Sequence, residues 1–423
     1  MNRGGRRDSL NGMTTDRIHL SDRPRLTAVR ADRIFDGTSI LSLVRPALLI
    51  DGGTVAAVVD ADELPPGADV VDLGGTTLLP GLIDTHVHLA FDAGPDPLGS
   101  LAARDHDAAL DAMTTAARIA AAGGVTTVRD LGALGYLALT LRERPGGDEM
   151  PTILAAGPPM TSPGGHCADL GGAVRGIPAV IEAVRAHAER GVDVIKVMAG
   201  GGYLTPGSDP TRAQFSAGEL GAIVTEAHRH GLPVTAHAHG PAEIALAADS
   251  GVDGIEHASF LTPDGPHATD ELIGVLARRR IIIGATIGVR PIPGMTPPPH
   301  IARHLPALRD NLRRLHEAGA PIVAGTDAGI GPIKPHDVAR YAVADLVGMG
   351  MSPTVALSTV TVRAAEVCGL AHRKGRLAAG FDADVLAVDG NPLEDLGALH
   401  RIRAVFLRGR RLNPAHQPER ITP

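Results

Sequence analysis

Leu82-Ile83-Asp84-Thr85-His86-Val87-His88 decides the architecture of this 423-residue chain. It is an apolar, β-branched run that closes on two imidazoles. Strand side chains alternate between faces, so His86 and His88 point the same way. Downstream, short β-branched runs alternate with helix-period stretches, the pattern of βα units around a parallel sheet. The expected strands are Leu82–His88, Thr126–Asp130, Thr152–Ala156, Val194–Met198, Val234–His237, Gly254–His257, Ile281–Ala285 and Ile322–Gly325. Helical patterns such as His106–Ala122, Ala217–His230 and Asp337–Met349 separate them. Eight strands in roughly 290 residues suit an α/β fold of the (β/α)8, TIM-like barrel kind. A doubly wound open sheet is the alternative. It normally carries a glycine-rich nucleotide loop after its first strand, and none stands there.

Outward from this middle the pattern changes. Leu26–Ala31, Ala47–Ile50, Thr54–Val59, Val70–Leu73 and Thr77–Leu79 read as short alternating strands split by turn clusters. Ala383–Val388 and Ile402–Leu407 read alike near the other end. Residues 23–80 and 376–423 are therefore expected to build one small β-sandwich domain beside a barrel of residues 81–375. Residues 1–22 are rich in Arg, Asp, Ser, Asn and Gly and lack an apolar core, which suits a disordered leader rather than a signal peptide.

Composition removes several classes of function. Net charge is −7, and six phenylalanines, three tyrosines and no tryptophan leave little to stack on bases, so no nucleic-acid partner is expected. Apolar runs are too short to span a bilayer, which argues against membrane insertion. Two cysteines, Cys167 and Cys368, in unlike contexts make no disulfide framework, and a cytoplasmic homo-oligomer is expected. Of 40 basic residues only three are lysines: Lys196, Lys334 and Lys374. Where arginine serves every generic positive charge, a lysine inside Val194-Ile195-Lys196-Val197-Met198 raises the question of what amine chemistry it performs.

In a barrel the reactive groups gather at the C-terminal ends of the strands. Those ends repeat one set of residue types. The first carries His86 and His88, the fourth Lys196, the fifth Ala236-His237-Ala238-His239-Gly240, the sixth Glu256-His257, and the eighth Gly325-Thr326-Asp327-Ala328. One histidine at a strand end is more often structural than a ligand. Five metal-capable side chains and an inward lysine, each at a strand end, argue together for a metal site.

The run Leu79-Pro80-Gly81-Leu82-Ile83-Asp84-Thr85-His86-Val87-His88 resembles the opening signature of the amidohydrolase superfamily. Gly325-Thr326-Asp327-Ala328 and Gly380-Phe381-Asp382-Ala383-Asp384-Val385 resemble its later hallmarks. Ile195-Lys196-Val197-Met198-Ala199-Gly200-Gly201-Gly202 and Ala236-His237-Ala238-His239-Gly240 are similar to the branch of Xaa-Pro dipeptidases and metallo-carboxypeptidases. Imidazolonepropionases share the framework but lack the bridging lysine. The resemblance implies a metal-dependent hydrolase with two divalent ions, His86, His88 and Asp327 holding the inner one and His237 and His257 the outer. Lys196, carboxylated by carbon dioxide to a carbamate, would bridge them. Zinc suits such donors best, with manganese, cobalt and iron open. A metal-bridging hydroxide would attack a dipeptide or N-acyl amino acid, and Asp327 would pass its proton to the leaving nitrogen.

Other residues ring this set. His166, in Gly164-Gly165-His166, matches a Gly-Gly-His loop of the same branch, where the histidine meets substrate or oxyanion. Tyr203 follows the lysine strand in a glycine-rich loop able to close over substrate, and Arg290 follows the seventh strand and is a candidate for a substrate carboxylate. His239 reads as second to the ligands or structural. Pro291 to His300 reads as a βα loop. A cyclic-amide hydrolase acting on a lactam- or imidazolone-like ring, or an ester or lactone hydrolase, would use the same ligands. A metal-free scaffold would be expected to lack several of the six positions, and all six are filled.

Overall fold

The computed structural model describes residues 26–144, 146–296 and 299–412. The expected leader at 1–22, and the outermost parts of the two terminal segments, lie outside the described residues. Besides a short antiparallel pair, Leu261–Thr262 with Gly265–Pro266, the middle of the chain holds eight strands: β1 (Leu82–Val87), β2 (Val125–Asp130), β3 (Thr152–Ala155), β4 (Ile195–Met198), β5 (Val234–Ala238), β6 (Gly254–His257), β7 (Ile282–Thr286) and β8 (Ile322–Gly325). These eight run parallel as a three-stranded sheet, β1-β2-β3, and a five-stranded sheet, β4-β5-β6-β7-β8. Parallel bridges link the two sheets on both sides: Met160 meets Val197 beyond β3, and Val87 meets Ala328 beyond β8. At the second seam Asp327 N–H donates to His86 O at 2.7 Å and His88 N–H to Ala328 O at 2.9 Å. These bonds bring the metal-capable ends of β1 and β8 side by side.

Helices occupy the intervals for local reasons. Asp105 caps His106–Ala122 by accepting from Ala108 N–H, and the helix buries Ala109, Leu110, Met113, Ala116, Ala117 and Ala120 along one stripe. Ser216 and Glu219 form a capping box on Ala217–Arg229. The proline-rich stretch differs from the expectation of a loop through His300. A helix runs from Pro299 to Glu317, because proline has no N–H to lose in a first turn.

Strands from the two ends of the chain pair with each other. Val385–Asp389 lies antiparallel to Thr76–Pro80, with Leu386 opposite Leu79, and also to Ile402–Leu407. A second sheet of four strands comes from residues 27–72 alone. Val29, Ile34, Leu48, Ile50, Leu78, Val385 and Phe406 are buried together between these sheets. Where the chain enters the second terminal segment, Lys374 bonds Asp384 at 2.5 Å and Asp382 at 2.8 Å, with all three side chains buried. Among the described residues no helix is long and apolar enough to cross a membrane.

Candidate metal centre

The site starts from Asp84, two residues before His86 on β1. Its Oδ1 accepts from His86 N–H at 3.2 Å and from Thr326 N–H at 2.9 Å, and its Oδ2 accepts from the Thr326 hydroxyl. Asp84 thereby clamps the end of β1 to the turn that carries Asp327. Burial pushes its carboxyl up to about 6, against the hydrogen bonds from Thr326. Gly325 permits the approach, since a Cβ there would stand 2.5 Å from His86 Cβ. Asp327 itself sits at φ 60° and His257 at φ 70°, left-handed backbone that non-glycine residues rarely adopt. Such strain concentrates where side chains must be aimed.

Two sets of donors result. His86, His88 and Asp327 have ligand atoms within 4.8 Å of one another, and so do His237, His239 and His257. The sets adjoin, with the His86 and His257 rings 5.4 Å apart. Each expected ligand histidine is held from behind. His86 Nδ1 lies 2.9 Å from Glu256 Oε2, and His88 Nδ1 lies 2.9 Å from Gly132 O. His237 Nε2 lies 2.9 Å from Gly201 O, and His257 Nδ1 lies 2.9 Å from Thr286 Oγ1. Carbonyl and carboxylate oxygens only accept, so the ring nitrogens of His86, His88 and His237 that face them carry the proton. The opposite nitrogens keep their lone pairs for the site, which is how metal-binding imidazoles are usually oriented.

The free nitrogens converge on a carboxylate. His86 Nε2 is 3.4 Å and His88 Nε2 3.2 Å from Asp327 Oδ1. Lone pairs and a carboxylate oxygen aimed at one point repel unless a proton or a cation sits among them. The donor set therefore fits a divalent ion, and imidazole with carboxylate suits zinc. Burial raises the Asp327 carboxyl, but the His86 and His88 interactions outweigh it and hold it below its ordinary range. Burial lowers His86 to about 4, and burial with neighbouring imidazoles holds His237 and His257 well below the ordinary range. Neutral rings are the form that binds metal.

Lys196 is 1 % exposed. Burial lowers its pKa, while Glu256 and Asp327 act in the other direction. Its charge is felt by His86 in one set and by His237 and His257 in the other.

The outer residues divide. His166 is buried, its ring 4.9 Å from His237, and its Nδ1 has no partner among the described residues. Burial and the charge of His239 lower it to about 4. A Cβ on Gly202 would strike this ring at 2.4 Å, so the glycine makes its space. His239, expected behind the ligands, lies in the outer donor set, with Nδ1 3.0 Å from Ser259 Oγ. Tyr203 is 74 % exposed, and its ring centroid is 6.2 Å from that of His239. Arg290 lies 3.7 Å from Asp337, a buried carboxylate that also binds Arg340. Four residues were given no role at the site from the sequence: Glu256, Arg129, Thr286 and Lys334. Arg129 had a readable signal, a charge inside a strand.

A profile of the Amidohydrolase family matches residues 77–412. The ochratoxinase of Aspergillus niger is 34% identical over 239 residues, which is 54% of this chain and 48% of that enzyme, so the aligned part spans about half the relative's length. The imidazolonepropionase of Deinococcus radiodurans is 30% identical over 397 residues, covering 86% of this chain and 92% of that one. Among solved structures, a Xaa-Pro dipeptidase with methionine bound in its active site superposes with a TM-score of 0.80 at 27% identity, covering 92% of this chain and 100% of that one.

Proposed function

Because the chain belongs to the amidohydrolase family, we propose that it hydrolyses the C–N amide bond of a small substrate, a dipeptide or N-acyl amino acid, at a dinuclear metal site. In this reading the eight parallel strands close a (β/α)8 barrel over residues 81–375, beside a β-sandwich built from 23–80 and 376–423. The observation that carries it is the convergence of His86 Nε2 and His88 Nε2 on Asp327 Oδ1. The dipeptide preference is supported by the likeness to the Xaa-Pro dipeptidase over nearly the whole chain.

His86, His88 and Asp327 would hold one ion and His237 and His257 the other, with Lys196 as a carbamate between them. When bound, divalent ions acidify water and polarise a carbonyl. The protein's own part follows from its geometry. Asp327, kept ionised, takes a proton from the attacking water and delivers it to the leaving nitrogen, since an amine leaves poorly without one. His166, neutral and with an unpartnered Nδ1, is available to the carbonyl oxygen of the substrate. Tyr203 would fold over the bound substrate from its exposed loop. Arg290 would meet a substrate carboxylate while Asp337 holds its guanidinium in place.

A cyclic-amide hydrolase is the second reading, favoured by 30% identity along 92% of an imidazolonepropionase. Turnover of a dipeptide and N-acyl amino acid panel against a lactam and imidazolone panel separates the two. Activity confined to the cyclic compounds would overturn the first reading.

A further inference from the structure

Three of the four imidazoles read as ligands are steadied by neutral oxygens, those of Gly132, Gly201 and Thr286. His86 leans on a carboxylate. Glu256 is 1 % exposed, and each of its oxygens is committed. Oε2 accepts from His86 Nδ1 at 2.9 Å, while Oε1 accepts from Thr235 Oγ1 at 2.7 Å and Arg129 Nη2 at 3.1 Å. Arg129 also donates through Nε to the carbonyl of Thr85, next to His86, at 2.7 Å. Gly284 clears the space, since a Cβ there would stand 2.0 Å from Glu256 Oε2. A buried ion pair is weak evidence for stability. This one has a polarity that reaches the ligand.

We propose that Glu256 is a positioning residue that locks His86 as its Nδ1–H tautomer, with Arg129 fixing which end of the residue-256 side chain can face the imidazole. The inference rests on the metal-centre reading above. Its logic is donor and acceptor matching. Arg129 has only donors, so it claims an oxygen from residue 256. A carboxylate has a second oxygen left for His86 Nδ1–H. A glutamine does not. Its amide oxygen is held by Arg129, its NH2 faces His86 Nδ1, and the imidazole proton must move to Nε2, where it blocks the ligand lone pair. Shape is preserved and the tautomer is inverted.

The test uses Glu256→Gln, Arg129→Met/Glu256→Gln and the unaltered protein. Zinc affinity is measured by chelator competition, and the His86 tautomer of the metal-free protein by 15N NMR. Glu256→Gln is expected to weaken zinc binding by about 10–100-fold, the usual effect of losing the partner behind a ligand histidine. It should also show His86 as Nε2–H. Removing Arg129 as well frees the amide to turn its oxygen to His86, with Thr235 accepting from the NH2. The double variant should regain Nδ1–H and most of the affinity. A merely structural ion pair predicts the opposite order, with the double variant no better than the single one. Recovery absent, or Nδ1–H retained in Glu256→Gln, overturns the proposal. Should Glu256→Gln not fold, an Nε2–H tautomer in the unaltered metal-free protein overturns it alone. Zinc failing to bind the unaltered protein would instead sink the metal-centre reading, and the metal-free tautomers would still judge Glu256.

Discussion

Lys334 Nζ lies 2.8 Å from the carbonyl oxygen of Thr326, the residue immediately before Asp327. Its second acceptor is Thr286 O at 3.1 Å, and the Thr286 hydroxyl pairs with His257 Nδ1. One buried ammonium therefore ties the β8 turn that presents Asp327 to the β7 end that orients His257. Burial lowers the pKa of this lysine, with Asp327 and Asp84 opposing.

Replacing Lys334 with methionine keeps length and removes the donor. Buried carbonyls left unpaired cost about 1–3 kcal/mol each. Lys334→Met should lose stability of that order in denaturant unfolding, with a larger fall in kcat than in KM because Asp327 is no longer held. Unchanged unfolding and turnover would show that Lys334 is not a strut.

Asp327→Asn tests the proton carrier. An amide can still face His86 and His88, but it cannot accept the proton from water, a role worth about 10²–10⁴ in rate. The variant should fold, retain metal in part and lose turnover to that extent. Near-normal kcat with metals bound would remove Asp327 from the role.

Acid should destabilise the metal-free protein before it reaches the usual carboxylate range. Burial leads the causes that hold His86, His166 and His239 to about 4. The unfolded chain protonates such rings near 6.5, so between 6.5 and 4 it binds more protons than the folded chain, and stability falls as pH falls. His88, where Asp327 outweighs burial, titrates above that window. Asp84, raised by burial to about 6, acts oppositely by binding its proton in the folded state first. His237, His257, His336 and His400 are lowered too, Asp130, Asp193 and Glu243 are raised like Asp84, and the lowered imidazoles outnumber the raised carboxyls, which decides the sign. Glu256, where burial is outweighed by His86 and Arg129 and the pKa falls to about 2, adds a further loss between 4.5 and 2. The Tm of metal-free protein should drop from about pH 7.5 to about pH 5. A flat or rising Tm contradicts this.

Much of the frame was legible because strands and helices announce themselves by period. β6 and β8 have the bounds expected, and the other six strands differ by only a residue at one end or both. The strand-end reading also brought His86, His88 and Asp327 to one place. Glu256 was hidden by that same logic of alternation. Neighbours in a strand face opposite ways, so an inward His257 implies an outward Glu256. The left-handed φ of His257 breaks the alternation, and both side chains serve the site. Lys334 was hidden differently. It lies in a loop, and no pattern in Gly331-Pro332-Ile333-Lys334-Pro335 tells which carbonyls its amine will find. Asp84 was readable as a charge inside an apolar strand, two residues before His86.

Lys196 decides whether the two donor sets act as one centre. As an ammonium it would stand beside two dications, desolvated and among like charges, which is strongly unfavourable. As a carbamate it brings one negative charge and two oxygens, a bridge an arginine at this position cannot form, because a guanidinium does not take up carbon dioxide this way. Lys196→Arg should therefore be metal-poor and at least about 100-fold less active, the upper end of what a ligand's mere supporting partner is worth. Lys196→Ala should be inactive but partly restored by acetate, a short carboxylate able to fill the bridge. Reconstituting metal-free protein without bicarbonate should slow the return of activity, and elemental analysis of active protein should find close to two ions per chain. Density at Nζ is the direct observation. An unmodified amine between two occupied metal sites, or full activity in Lys196→Arg, would end the carbamate reading.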